Sequence, residues 1–152
     1  MTKNPEARAL AATLIAQFEG FSETAYPDPP TQDILYSIGY GHQIKPNEEL
    51  SRNSRITREL ALKLLGQDLT EFADIVDALV HPELSTNQAA AVYSFCYNIG
   101  PTRFRRSTLL ILLNAEDYPS VSLEFAKWNK VAGISNAALT SRRDKEKELF
   151  LA

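Results

Sequence analysis

Between Phe18 and His42 the chain reads FEGFSETAYPDPPTQDILYSIGYGH, which gathers two carboxylates, Glu19 and Asp28, a small hydroxyl, Ser37, and a glycine-rich turn, Gly39-Tyr40-Gly41-His42. Upstream, Leu10, Leu14 and Phe18, with Ala7, Ala11 and Ile15, recur at helical spacing, so Glu19 falls on the last turn of an amphipathic helix that Gly20 closes. A rigid element therefore carries the first acid. At the negative end of a helix dipole and beside Phe18 and Phe21, that carboxyl is expected to be partly desolvated and to favour its protonated form. A protonated acid is what cleavage of a glycosidic bond requires.

The elements that must position these groups follow from periodicity. From Ala25 to Ile44 the period changes: Tyr26, Ile34, Tyr36, Ile38 and Tyr40 are β-formers broken by Pro and Gly, which predicts a small twisted antiparallel sheet. Ile34, Tyr36, Ile38 and Tyr40 alternate onto one face, with Ser37 and Gly39 on the other. Singly, each acid or hydroxyl here reads as solvated surface, or as a turn residue for Asp28 before Pro29; their conjunction with the Gly-Tyr-Gly-His run argues for a site.

Thr57 can cap a helix whose apolar set Leu60, Leu64, Leu65, Phe72, Val76 and Leu79 recurs until His81-Pro82 ends it. Its length is about 35 Å at 1.5 Å per residue. Gly66 inside it costs about 1 kcal/mol relative to Ala, which predicts close packing or a bend there. Ser85 and Gln88 form a capping box ahead of Ala89, Val92, Tyr93 and Cys96, a helix that Gly100-Pro101 stops. Ser107 can cap the next helix, and Val121 to Trp128 reads as a short one bearing the only tryptophan, read as core. Gly133 to Thr140 reads as a loop, and the charged run from Ser141 to Phe150 as a final helix with a solvated face.

Composition bounds the answer. At 152 residues, 44% hydrophobic and 23% charged, the chain fits one soluble domain with a sizeable core. One cysteine, Cys96, forbids an intramolecular disulfide, and its apolar surroundings mark it as buried filler. A net charge of -3 argues against a nucleic-acid partner. The charge is uneven: residues 1–80 carry 7 basic and 12 acidic groups, residues 81–152 carry 9 and 7, so any basic surface belongs to the second half. The apolar run Ala9 to Ala16 is short, interrupted by Thr13 and without a small-residue cleavage site, so no export signal or membrane insertion is expected. Neither paired cysteines nor clustered histidines suggest a metal, and no cofactor is expected.

The chain resembles the phage-type lysozymes, the glycoside hydrolase family 24 enzymes that include the T-even phage lysozyme. Their signature is Glu, eight residues, Asp, a short loop, Thr, then Ile-Gly-Tyr-Gly-His or near variants. Here it is matched by Glu19, eight residues, Asp28, a loop, Ser37 and Ile38-Gly39-Tyr40-Gly41-His42. Ser37 stands where the family usually has Thr, keeping the hydroxyl. The eight-residue loop before it is longer than in the shortest members, and Asp33 within it is an alternative acid. A second signature, an Asn-x-Gly turn followed by Phe, Ser-Thr and two leucines, is matched by Asn98 through Leu110.

The resemblance implies an α+β, mostly helical, lysozyme-like two-lobe fold: an N-terminal lobe of about 18–56 plus the first helix, a connecting helix of about 57–80, and a helical C-terminal lobe of about 81–152. It makes Glu19, Asp28 and Ser37 catalytic, and pairs His42 with Asp68 as a structural fastening. Arg142, with Arg143 as the alternative, matches the family arginine that reaches back to the glutamate, while Asn98, Ser107, Thr108 and Tyr40 fall in supporting or sugar-contacting positions. The implied activity is hydrolysis of the β-1,4 bond between N-acetylmuramic acid and N-acetylglucosamine in peptidoglycan, with inversion and carboxyls roughly 6.5–9.5 Å apart. A monomer acting on glycan strands is expected, waiting in the host cytoplasm until a holin opens the membrane, or carried in a phage particle. The rivals are a lytic transglycosylase, against which Asp28 and Ser37 speak, and a non-catalytic peptidoglycan-binding or adaptor protein, against which Glu19 speaks.

Overall fold

The computed structural model describes residues 3–28 and 35–152; Ile34 and Asp33 lie outside them. Two compact units emerge, residues 12–68 and residues 1–11 with 69–152. Helices α1 (Pro5–Glu19) and α2 (Arg58–Leu79) contribute to both.

In the smaller unit α1 ends at Glu19 because Gly20 takes φ +68°, a left-handed conformation that stops a helix. The chain then forms the antiparallel sheet of β1 (Ser22–Asp28), β2 (Leu35–Gly39) and β3 (His42–Gln43), in that spatial order. Tyr26 faces Ser37 and Asp28 faces Leu35, whereas Ser22 faces Gly39, so β1 carries two extra residues in a bulge between Ser22 and Tyr26. Ser37, Ile38 and Gly39 are all buried, so both faces of β2 are covered there. As the central strand, β2 has neighbours on both edges. Ile38 anchors a small core with Ile56 and Ala61, against which Phe21, Tyr40 and Leu64 pack. Thr57 caps α2, its Oγ1 accepting from the Leu60 N–H at 3.1 Å.

Gly66 sits in α2 with nothing within 4 Å of where a Cβ would stand, so close packing is not its purpose. Gly66→Ala is therefore expected to raise unfolding free energy by about 0.5–1 kcal/mol, read as a higher urea midpoint at unchanged slope.

The larger unit is built on α3 (Thr86–Ile99), in which every residue from Ala89 to Cys96 is buried. Its capping box is complete, with Ser85 Oγ accepting from Gln88 N–H at 3.1 Å and Gln88 Oε1 from Ser85 N–H at 3.0 Å. Then follow α4 (Pro101–Arg105), α5 (Thr108–Asn114), α6 (Tyr118–Glu124), a 3-10 turn at Phe125–Lys127 and α7 (Ala137–Leu151), which packs on α3. Phe95, Phe104, Phe125 and Phe150 form an aromatic core, and Trp128 meets Phe95 edge-on at 5.7 Å while staying half-buried. Burial pushes the Cys96 thiol up to about 12, an inert filler as expected.

Three expectations need correction here. The helix expected from Val121 to Trp128 starts at Tyr118 and tightens into the 3-10 turn. The loop predicted from Gly133 to Thr140 instead holds the second strand of a hairpin, β4 (Lys130–Val131) with β5 (Ile134–Ser135), joined by Ala132 and Gly133 at φ +51° and +80°, and the first turn of α7. Two successive positive-φ residues are what a tight hairpin turn demands. The charged run on α7 is only in part a solvated face: Asp144, Lys145 and Glu148 are exposed, but Arg142, Arg143 and Glu146 are buried with Phe150. Glu146 holds them, with Oε1 2.7 Å from Arg143 Nε and Oε2 accepting from Ser94 Oγ at 2.6 Å. Burial pushes Arg143 down to about 10 and the Glu146 carboxyl up, each opposed by the charge of the other.

Candidate active site

The smaller unit brings together Glu19, Asp28, Ser37 and the glycine-rich turn. Glu19 stands at the C-terminal end of α1 and is exposed, and Phe21 turns toward Tyr40, at 5.6 Å between rings. The turn between β2 and β3 lies against it, since a methyl at Gly41 (φ +86°) would come within 3.7 Å of Glu19 Oε2. Glycine there lets the backbone approach the acid.

Asp28 ends β1 and is exposed, while Ser37 on the neighbouring strand is buried. Ser37 Oγ donates to Asp28 Oδ2 at 3.1 Å, so one carboxylate oxygen is pinned. Only 1% of the surface of Ser37 is exposed.

Tyr26 was legible only as a β-former, yet it reports on both acids. Burial raises its phenol pKa, and the negative charges of Asp28 and then Glu19 raise it further. Both carboxylates thus lie within electrostatic reach of one phenol. The signal was available: Tyr26 precedes Asp28 by two residues, which on a strand means the same face.

His42 is buried at the start of β3, with Nδ1 2.7 Å from Asp68 Oδ2 and Nε2 3.0 Å from Glu48 Oε2. Glu48 lies in a polar loop, and no sequence periodicity announced it. Burial disfavours charge on the ring, but the hydrogen bonds and charges of Asp68 and Glu48 outweigh it, and the His42 pKa is raised above 6.5. For Glu48 burial acts upward, while the Lys45 N–H and His42 pull harder, leaving its pKa below 4.5. Stability from His42 is therefore complete below about pH 6.5 and lost as pH rises through its higher folded value. Stability from Glu48 is present above 4.5 and lost as pH falls through its lower folded value. Urea unfolding is expected to show less stability at about pH 9 than at about pH 6, by a margin that shrinks in His42→Gln.

The remaining candidates divide. Tyr40 packs in the Ile38 core. Ser107 is committed to capping, accepting from Leu110 N–H at 3.1 Å and donating to Phe104 O at 2.7 Å, and is buried. Thr108 is exposed at the first position of α5. In the larger unit Arg142 Nη2 donates to Ser94 O at 3.2 Å, and Arg143 Nη2 donates to Asn98 Oδ1 at 2.9 Å. Among the described residues no group of three or more His, Cys, Asp or Glu side chains could hold a metal ion.

The family model for phage lysozyme matches residues 16–146. The endolysin of Bacillus phage B103 is 41% identical over 138 residues, covering 91% of this chain and 51% of that protein; the chain spans about half the length of such relatives. The endolysin of Salmonella phage P22 is 34% identical over 141 residues, covering 92% and 94%. Among solved structures, the muramidase domain of SpmX from Asticaccaulis excentricus superposes with a TM-score of 0.81 at 34% identity, covering 93% and 95%. The fold is α+β, mostly helical and lysozyme-like, and the chain belongs to the phage lysozyme family.

Proposed function

We propose that the chain hydrolyses the β-1,4 bond between N-acetylmuramic acid and N-acetylglucosamine in bacterial peptidoglycan, with inversion at the anomeric carbon. The observation that carries this reading is two exposed acids in the smaller unit, one pinned by Ser37 and the other beside a glycine turn. Glu19, protonated, gives its proton to the glycosidic oxygen as the C1–O bond breaks. Asp28, its Oδ2 held by Ser37, uses its other oxygen to take a proton from a water that attacks C1 from the opposite face. The water oxygen becomes the new anomeric hydroxyl, and the departing sugar leaves as an alcohol. Arg142, as support for the acid, and Asn98 and Thr108, as sugar contacts, belong to this reading by resemblance to the family.

Digestion of purified peptidoglycan should release soluble fragments ending in reducing muramic acid. Wall binding without release would instead make the chain a binding module. In this reading the chain is a monomer whose access to the wall depends on a holin: expressed alone in bacteria it should cause lysis only after the membrane is permeabilised, and spontaneous lysis would contradict this.

A further inference from the structure

Tyr26 has no part in the mechanism above, yet the sheet delivers it to the side of the general base. Ser22 pairs with Gly39 but Tyr26 pairs with Ser37, so three residues of β1 span what one residue spans on β2. Unbroken pairing would set Thr24 opposite Ser37 and carry Tyr26 on to Leu35. The bulge instead slides Tyr26 back to Ser37 and Asp28 to Leu35. Bulges beside active sites serve to re-aim a side chain in this way.

The core fixes which face these residues share. Ala25 and Ile38 pack in the Ile38 core, so their strand neighbours Tyr26 and Ser37 point to the opposite face. Asp28, two residues beyond Tyr26, lies on that same face, and its hydrogen bond from Ser37 Oγ at 3.1 Å agrees. Side chains at i and i+2 of a strand stand about 7 Å apart, which an aromatic side chain spans. Tyr26 and Asp28 therefore border one strip of the sheet, and both are exposed. Burial first, then the charges of Asp28 and Glu19, hold the proton on the Tyr26 hydroxyl, which makes it a donor at neutral pH.

A sugar attacked at C1 between a general acid and a general base lies between the two carboxylates. An exposed ring with a donor at its tip suits the apolar face and the oxygens of such a sugar. Thr24, the residue that regular pairing would place there, could offer no such surface.

We propose that Tyr26 is a further substrate-contacting residue, its ring supporting the sugar whose C1 is attacked and its hydroxyl donating to an oxygen of that sugar. The proposal rests on the hydrolase reading for its substrate. Tyr26 transfers no proton in it.

The test follows digestion of soluble, uncrosslinked glycan strands by wild type, Tyr26→Phe and Tyr26→Leu. Each Tyr26 substitution is also placed on a Glu19→Gln background, where calorimetric titration with the same strands reads binding without cleavage. Tyr26→Phe keeps the shape and should lose about 3–10-fold in kcat/KM, the worth of one neutral hydrogen bond. Tyr26→Leu also removes the ring and should lose roughly tenfold more. Affinity on the Glu19→Gln background should fall in the same order, while thermal melts coincide, since Tyr26 is exposed. The pH limits of kcat/KM should stay where they are in Tyr26→Phe, because the contact is to the sugar and to neither acid. Either variant cleaving and binding within about twofold of wild type would overturn the proposal. A displaced pH limit at unchanged glycan affinity would also overturn it, by making Tyr26 a group that tunes Asp28. If wild type releases no reducing ends, the hydrolase reading fails while the titration still scores the contact; if wild type cleaves and both variants match it, this proposal alone fails.

Discussion

Glu19→Gln is expected to lower kcat/KM on peptidoglycan by about 10²–10⁴-fold, because in the proposed mechanism it removes the proton donor while keeping the shape of the side chain. The loss should fall on kcat, since an amide still accepts and donates hydrogen bonds in the ground state but cannot protonate a leaving oxygen. Glu19 is exposed at the end of α1, and its contribution to stability is read separately from activity. Lysis of isolated walls by turbidity, with a thermal melt of each protein, reads both quantities. A Gln variant within about twofold of wild type would remove Glu19 from the chemistry. Ser37→Ala should cost less than Glu19→Gln, because in the proposed mechanism Ser37 orients Asp28 through its hydrogen bond and transfers no proton itself.

Gly39→Ala is expected to destabilise the protein by about 2–4 kcal/mol, from left-handed backbone and overpacking together. Gly39 has φ +69°, and an added Cβ would stand 2.9 Å from Ala61 Cβ and 3.1 Å from Ile56 Cδ1. Ala61 is a short side chain on a helix and cannot swing aside, so β2 must lift from α2. Because β2 carries Ser37, activity should fall together with the melting temperature. A thermal melt of Gly39→Ala that matched wild type would show that the strand yields without cost. At Gly66 the same substitution meets open space inside a helix and has the opposite expected sign.

Local signals made much of this protein legible. Gly20, Thr57, Ser85 with Gln88, and Gly100 bound α1, α2 and α3 where capping chemistry places them, because a helix end needs particular residues whatever surrounds it. The glycine turn beside Glu19 was readable for the same reason. Tertiary features were harder to read. Glu48 reaches His42 from an irregular loop, and no periodicity links those positions. The buried face of α7 reads as solvated because charge normally signals water; only its position against α3, whose Ser94 and Asn98 receive Glu146 and Arg143, reverses that. The Ala132-Gly133 turn escaped because alanine rarely takes positive φ. Family resemblance supplied the role of Asp28, which in isolation before Pro29 looks like any turn residue.

The most direct measurement of the central claim is the anomeric configuration of the muramic acid end formed first, followed by proton NMR during digestion of a defined glycan strand before mutarotation. A general acid at Glu19 with water held by Asp28 predicts that the β-linkage is released as the α-anomer. A β-anomer would mean a covalent intermediate and a nucleophilic carboxylate, and a 1,6-anhydro end would mean that no water is delivered at all; either contradicts the account.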